Sequence, residues 1–274
     1  MKRPFLSLAA ASSTLLATAA CAWADPTGTG YGRPLDVSLD GHRSDTLFGI
    51  VTVCISVLFA IMVAIIAWAS LMHRDRPGHK ALYDHGMGKR HLLLTTVVAG
   101  LIFFGVDGFA LVHSSHDLAE GFWKFPTAQE NPIQVEVYAQ QWAWNFRYAG
   151  ADGQFNTADD IVTLNELHIP VDRPVMLNMK SKDVIHSFYL PNFRIKQDAF
   201  PGSISRLWFQ AKQTGNFEIG CAQHCGASHY KMRGFLTIDS AEDYAQWAKD
   251  QSASSQRRYD EADSDAHWAW KWEN

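Results

Sequence analysis

Two long apolar stretches decide most of what this chain can become. Thr46 to Met72 reads TLFGIVTVCISVLFAIMVAIIAWASLM and contains no Asp, Glu, Lys, Arg or His. As a helix, at about 1.5 Å per residue, it would reach about 40 Å, more than the roughly 30 Å hydrocarbon core of a bilayer. Leu92 to Val112, LLLTTVVAGLIFFGVDGFALV, carries a single charge, Asp107. Helices this long and this poor in charge are seldom the core of a soluble domain, so 46–72 and 92–112 are predicted as transmembrane helices. The 73–91 loop between them holds Arg74, Arg76, Lys80, Lys89 and Arg90 against Asp75 and Asp84. That excess marks a cytoplasmic loop, which puts both ends of the chain outside.

The N-terminus agrees with export. Lys2 and Arg3 precede the apolar run Phe5 to Ala20 and then Ala22-Trp23-Ala24, the three regions of a secretory signal peptide over 1–24. Lipidation at Cys21 is the competing reading. Residues 25–45 are then a periplasmic segment, 113–130 a linker, and the chain a bacterial inner-membrane hairpin carrying an exported domain.

That domain, 131–240, has a different texture. IQVEVYAQQWAWNFRY, VMLNMKSKDVIHSFYL and RLWFQ are strand-like and separated by Gly, Pro and Asp clusters, the pattern of a β-sandwich or Greek-key barrel. Residues 241–274 form a tail: AEDYAQWAKDQ reads as a short amphipathic helix, and Trp268, Trp270 and Trp272 as a surface for a partner subunit. A net charge of −4 is too mild to imply nucleic acid or a strongly charged substrate. Asp152, Asp159 and Asp160 lack EF-hand spacing and are predicted as a polar hairpin loop.

The densest chemistry is GCAQHCGASHYKM, residues 220 to 232. Two cysteines in an oxidising compartment suggest a disulfide. Cys and His together suggest zinc, but zinc seldom takes Met232 as well. Thiolate, imidazole and a weak axial thioether are what copper selects for one-electron transfer. Two thiolates four residues apart can bridge two coppers, which calls for a second histidine from another strand. His186 in SKDVIHSFYLP fits, with His224 and His168 as rivals.

These motifs resemble those of subunit II of the haem-copper cytochrome c oxidases. The pattern C-x-E-x-C-G-x-x-H-x-x-M is matched at Cys221, Cys225, Gly226, His229 and Met232. D-V-x-H-S is matched from Asp183 to Ser187, Q-W-x-W from Gln141 to Trp144, and K-x-D-A-x-P-G from Lys196 to Gly202. The resemblance implies an all-β cupredoxin domain with a binuclear copper A centre. Cys221 and Cys225 would bridge the coppers, His186 and His229 would be terminal ligands, and Met232 and the backbone carbonyl of Gln223 axial ones. It implies electron entry from cytochrome c at Trp142 and delivery to haem in a catalytic subunit I, among other oxidase subunits, for oxygen reduction coupled to proton translocation. A copper A subunit of another haem-copper enzyme, such as a nitric oxide reductase, is the alternative. Position 223 is Gln where the family has Glu, which leaves magnesium or manganese at the subunit interface an open question. The second span offers His91 in place of the family's Glu at its cytoplasmic start, and no C-x-x-C-H marks a fused haem domain.

Overall fold

The computed structural model describes residues 32–78, 80, 83–256 and 262. The predicted signal peptide over 1–24 and the three tail tryptophans lie outside them. The chain forms two compact units, one from His42 to Lys124 and the other combining residues up to Gly41 with those from Phe125 onward.

The helical unit holds α1 (Gly41–Met72) and α2 (Lys89–Phe122), each long and apolar enough to cross a membrane. Phe59, Ile65, Trp68, Phe104 and Val112 all point outward, as side chains do when lipid or another subunit is their solvent. Residues 113–122, predicted as linker, are instead helical to Phe122. Nothing breaks the helix there. No Pro intervenes, and the His113 imidazole lies 3.5 Å from Asp117 one turn on, an i,i+4 pairing that favours helix. Arg43 on α1 bonds the same Asp117 at 3.0 Å and ties the two helices together. Likewise α2 begins at Lys89, inside the predicted loop. Its turns widen at Ile102–Asp107 and Leu118–Phe122.

The second unit is a sandwich of two five-stranded sheets. Its strands are β1 (Ile133–Gln140), β2 (Ala143–Tyr148), β3 (Ile161–Leu164), β4 (Glu166–Pro170), β5 (Pro174–Ser181), β6 (His186–Leu190), β7 (Ile195–Ala199), β8 (Ser205–Gln210), β9 (Gly215–Cys221) and β10 (Arg233–Asp239). One sheet runs β3-β2-β1-β5-β8 and the other β4-β10-β9-β6-β7. β1 with β5 and β4 with β10 are parallel, and the other pairs antiparallel. This is the Greek-key sandwich of a cupredoxin-like domain. Alternation drives it: along β5 every second residue, Val175, Leu177, Met179 and Ser181, is buried. These meet Val135, Val137, Trp144, Phe146, Phe188, Ile219 and Leu236, each fully buried.

One buried ion cluster closes the edge beside the Asp-rich loop. Arg147 of β2 donates through Nε to Glu136 of β1 at 2.7 Å and through Nη1 to Asn156 at 3.4 Å, and its Nε lies 3.8 Å from Asp160. The loop is thus held by its carboxylates and backbone. After β10, α3 (Ala241–Gln256) packs Trp247 flat on His168, with ring centroids 4.5 Å apart, and edge-on to Tyr148.

Candidate metal centre

The centre forms where two strands of one sheet run out together. β6 opens at His186 and β9 closes at Cys221, and the sheet register sets Phe188 opposite Cys221. From Cys221 the chain turns out and back to β10. The return is fixed by backbone bonds from His229 N to Gly226 O, Lys231 N to Ser228 O and Met232 N to His229 O. A short 3-10 turn, His229–Lys231, therefore aims His229 and Met232 back toward the cysteines. Gly226 sits at φ +116°, and a Cβ there would come within 2.7 Å of Gln141 Nε2. A side chain at this position would push the loop off the Gln141–Trp142 turn.

The donors converge closely. Cys221 Sγ and Cys225 Sγ are 3.8 Å apart, far beyond the roughly 2.05 Å of a disulfide, and both thiols are free. His229 Nδ1 is 3.5 Å from Cys225 Sγ, and Met232 Sδ is 3.7 Å from it. His186 Nδ1 lies 3.1 Å from Met232 Sδ. The ligand atoms of His186, Cys221 and Cys225 all fall within 4.8 Å of one another, a group that could hold a metal ion. The Gln223 carbonyl is 3.2 Å from Cys221 Sγ. Every donor the sequence singled out is brought together, and both rivals are left out. His168 pairs with Asp239 at 3.0 Å under Trp247, and the exposed His224 lies beside His229 with ring centroids 5.5 Å apart.

The electrostatics favour a charged, metal-ready pocket. Burial would raise the Cys221 thiol, but hydrogen bonds from His186, from the Ser187 and Gln223 backbone and from His229 outweigh it and bring it down to about 6. Burial and then the neighbouring Cys221 charge push Cys225 up to about 12. Burial would also lower His186, yet Cys221 and Asp183 together raise it. The Asp183 carboxylate, held down mainly by His186 against its own burial, accepts from His186 Nε2 at 2.8 Å. That leaves Nδ1 turned to the sulfurs, the outer-shell arrangement that fixes an imidazole as a ligand. The same carboxylate accepts from Gln141 N at 2.7 Å. Asp183 was quoted only as part of a motif; an acid three residues before a candidate ligand was the available signal for its role.

Trp142 does not lie on the aromatic face of its strand. β2 begins at Ala143, so Trp144, Phe146 and Tyr148 are core while Trp142 sits in the preceding turn, 38% exposed. Its Nε1 donates to the Cys225 carbonyl at 3.2 Å, and Gln141 Nε2 donates to the same oxygen at 2.8 Å. An exposed indole is thereby one hydrogen bond from a cysteine backbone.

The donor set fits copper on its chemistry: two thiolates, two imidazoles and a buried thioether are soft and borderline ligands, and no carboxylate enters the cluster. Fold and site together define a cupredoxin-like domain, carried by two membrane-span-capable helices, with a Cys/His/Met cluster at the end of one sheet. Residues 133–238 match the model of the periplasmic domain of cytochrome c oxidase subunit II. An alternative cytochrome c oxidase subunit 2 of Bradyrhizobium diazoefficiens is 29% identical over 71% of this chain and 75% of its own length. The cytochrome c oxidase subunit 2 of Synechocystis is 40% identical over 43% of this chain but only 32% of its own length. Among solved structures, the periplasmic domain of subunit II of cytochrome oxidase from Bradyrhizobium japonicum aligns with a TM-score of 0.40 at 27% identity. That alignment covers 44% of this chain and 94% of that one.

Proposed function

We propose that this chain is the electron-entry subunit of a haem-copper cytochrome c oxidase, holding a binuclear copper A centre. The observation that carries the reading is the convergence of Cys221, Cys225, His229, Met232 and His186, whose donor atoms are linked pair by pair at 3.1 to 3.8 Å. Cys221, Cys225, His186, His229, Met232 and the Gln223 carbonyl would hold the coppers. When bound, the coppers supply a site that accepts and releases one electron at a time.

The chain's own residues do the rest. Asp183 holds the His186 ring with Nδ1 inward. The sandwich fixes β6 and β9, so the ligand frame is rigid before metal arrives. Gln141 and Trp142 grip the Cys225 carbonyl and hold the loop closed. Trp142 presents a flat apolar surface to a haem edge of cytochrome c, and its hydrogen bond to Cys225 gives a short route inward. In the assembled oxidase the centre would hand its electrons on to the catalytic subunit, which would supply the haem, the oxygen chemistry and the proton movement. Gln223 brings a neutral amide where a hard divalent cation would favour carboxylate, and this route does not call on magnesium or manganese. The cytoplasmic 73–91 loop, with both ends of the chain periplasmic, places the centre outside the inner membrane.

The test is copper content. Full-length protein loaded with copper and desalted should hold two coppers per chain. Cys221→Ser should lose the binuclear centre, since a hydroxyl bridges copper poorly, while Gln223→Ala should keep it because only its carbonyl is used. Full copper and an unchanged spectrum in Cys221→Ser would refute the reading.

A further inference from the structure

The ligand set is walled in on most sides. His186 is fully buried, and Cys225 and Met232 are only 2% exposed. The sandwich lies behind them, and Gln141 and Trp142 lie against the Cys225 carbonyl. The wall opens at Ala222, Gln223 and His224, three consecutive exposed residues between the two cysteines. This exposed stretch, flanked by the half-buried Cys221, offers a metal ion a face through which to approach the centre in the folded protein. Of its three side chains, an alanine methyl offers no donor and an amide binds copper poorly, whereas an imidazole binds it well.

The His224 ring is placed for use. It lies 5.5 Å, centroid to centroid, from His229, whose Nδ1 is turned inward to Cys225 Sγ at 3.5 Å. Two imidazoles on one ion, each with a metal–nitrogen bond of about 2 Å, have centroids about 5 to 6 Å apart. The observed spacing is that of a pair able to share an ion. His229 belongs to both the inner set and this outer pair, so an ion held outside need only exchange one imidazole for thiolate to move in.

Resting on the copper reading of the inner site, we propose that His224 and His229 form an entry site for copper, which is captured there and then passed to the cysteines. The transfer is ligand exchange without redox change. A cuprous ion leaves the His224 nitrogen and bonds Cys221 and Cys225 sulfur, and each thiol that is still protonated releases its proton to solvent as the bond forms. His224 then returns to solvent and has no place in the loaded centre.

The experiment follows cuprous ion uptake by the metal-free, reduced full-length chain in detergent. Copper is delivered from a coloured chelator whose bleaching gives the rate, and final copper per chain is counted after desalting. His224→Ala and His224→Gln should slow uptake on the order of tenfold while reaching the same final copper and, after one-electron oxidation with ferricyanide, the same visible spectrum. His224→Met, which restores a ligand for cuprous ion, should recover most of the rate. Because His224 is exposed, thermal unfolding of the metal-free variants should match the parent. An unchanged rate in His224→Ala would overturn the entry site and leave the inner site standing. Lost final copper in that variant would also overturn it, by making His224 a resident ligand. Failure of the parent chain itself to take copper would remove the inner reading and the entry site together.

Discussion

At the residue scale, the two cysteines are chemically unequal although the sequence makes them look alike. Cys221 gains hydrogen bonds from His186 and from backbone donors and is brought to about 6, while Cys225 is deeper and faces its neighbour's charge. In the metal-free chain, iodoacetamide should therefore modify Cys221 with a rate that rises as pH passes through about 6, because the thiolate is the nucleophile. Cys225 should stay unmodified into the alkaline range, and peptide mapping after timed quenches reads both. Equal modification of the two at neutral pH would contradict this inequality. Trp142 gives the second test at this scale. Truncating a core tryptophan costs about 3 to 5 kcal/mol, but Trp142 is part-exposed in a turn. Trp142→Ala should unfold within a few degrees of the parent and keep its copper, yet be reduced by cytochrome c far more slowly in stopped flow. A destabilised variant reduced at the normal rate would return Trp142 to a packing role. The period of two in Trp142-Ala143-Trp144-Asn145-Phe146 hid this, because pattern reasoning assumes the strand has already begun. It begins one residue later, after the turn held by Asp183 and Cys225.

At the scale of elements, the strands were readable because alternation and turn residues act locally, as in β5 and in the Gly- and Asp-rich turns. Two features were not. The extension of α2 to Phe122 depends on polar residues, Ser114, His116 and Asp117, that carry no apolar period, and on an ion pair with Arg43 that is 74 residues away. The clamp of Arg147 on Glu136 and Asp160 was equally hidden, since a strand arginine normally faces solvent. In the fold it is 1% exposed, and burial raises both carboxylates despite its presence. Removing one partner of a buried ion pair costs about 3 to 5 kcal/mol. Arg147→Met should therefore lower stability in urea by an amount in that range and loosen the 150–160 loop. Limited proteolysis should cut there first. A loss under about 1 kcal/mol, the value of an exposed pair, would mean that solvent reaches this cluster.

At the scale of the whole molecule, the proposed copper ligands were legible because they crowd one loop and one strand start. That His186 comes from another strand was also expected, but how it reaches the cysteines was not, since residues 186 and 221 are brought near through the pairing of β6 with β9. The expected membrane orientation rests on the basic 73–91 loop, with the N-terminal export signal agreeing. A membrane-impermeant maleimide on intact spheroplasts should label Leu164→Cys and leave Tyr83→Cys unlabelled until the membrane is opened, judged against the parent chain's own thiols. The reverse pattern would invert the topology. The centre itself is tested most directly by electron paramagnetic resonance on the copper-loaded full-length chain, with copper counted in the same sample. Two coppers per chain and one unpaired electron split equally by two copper nuclei is the expected result. A spectrum split by a single copper nucleus, or no copper retained by the cluster of Cys221, Cys225, His186, His229 and Met232, would contradict it.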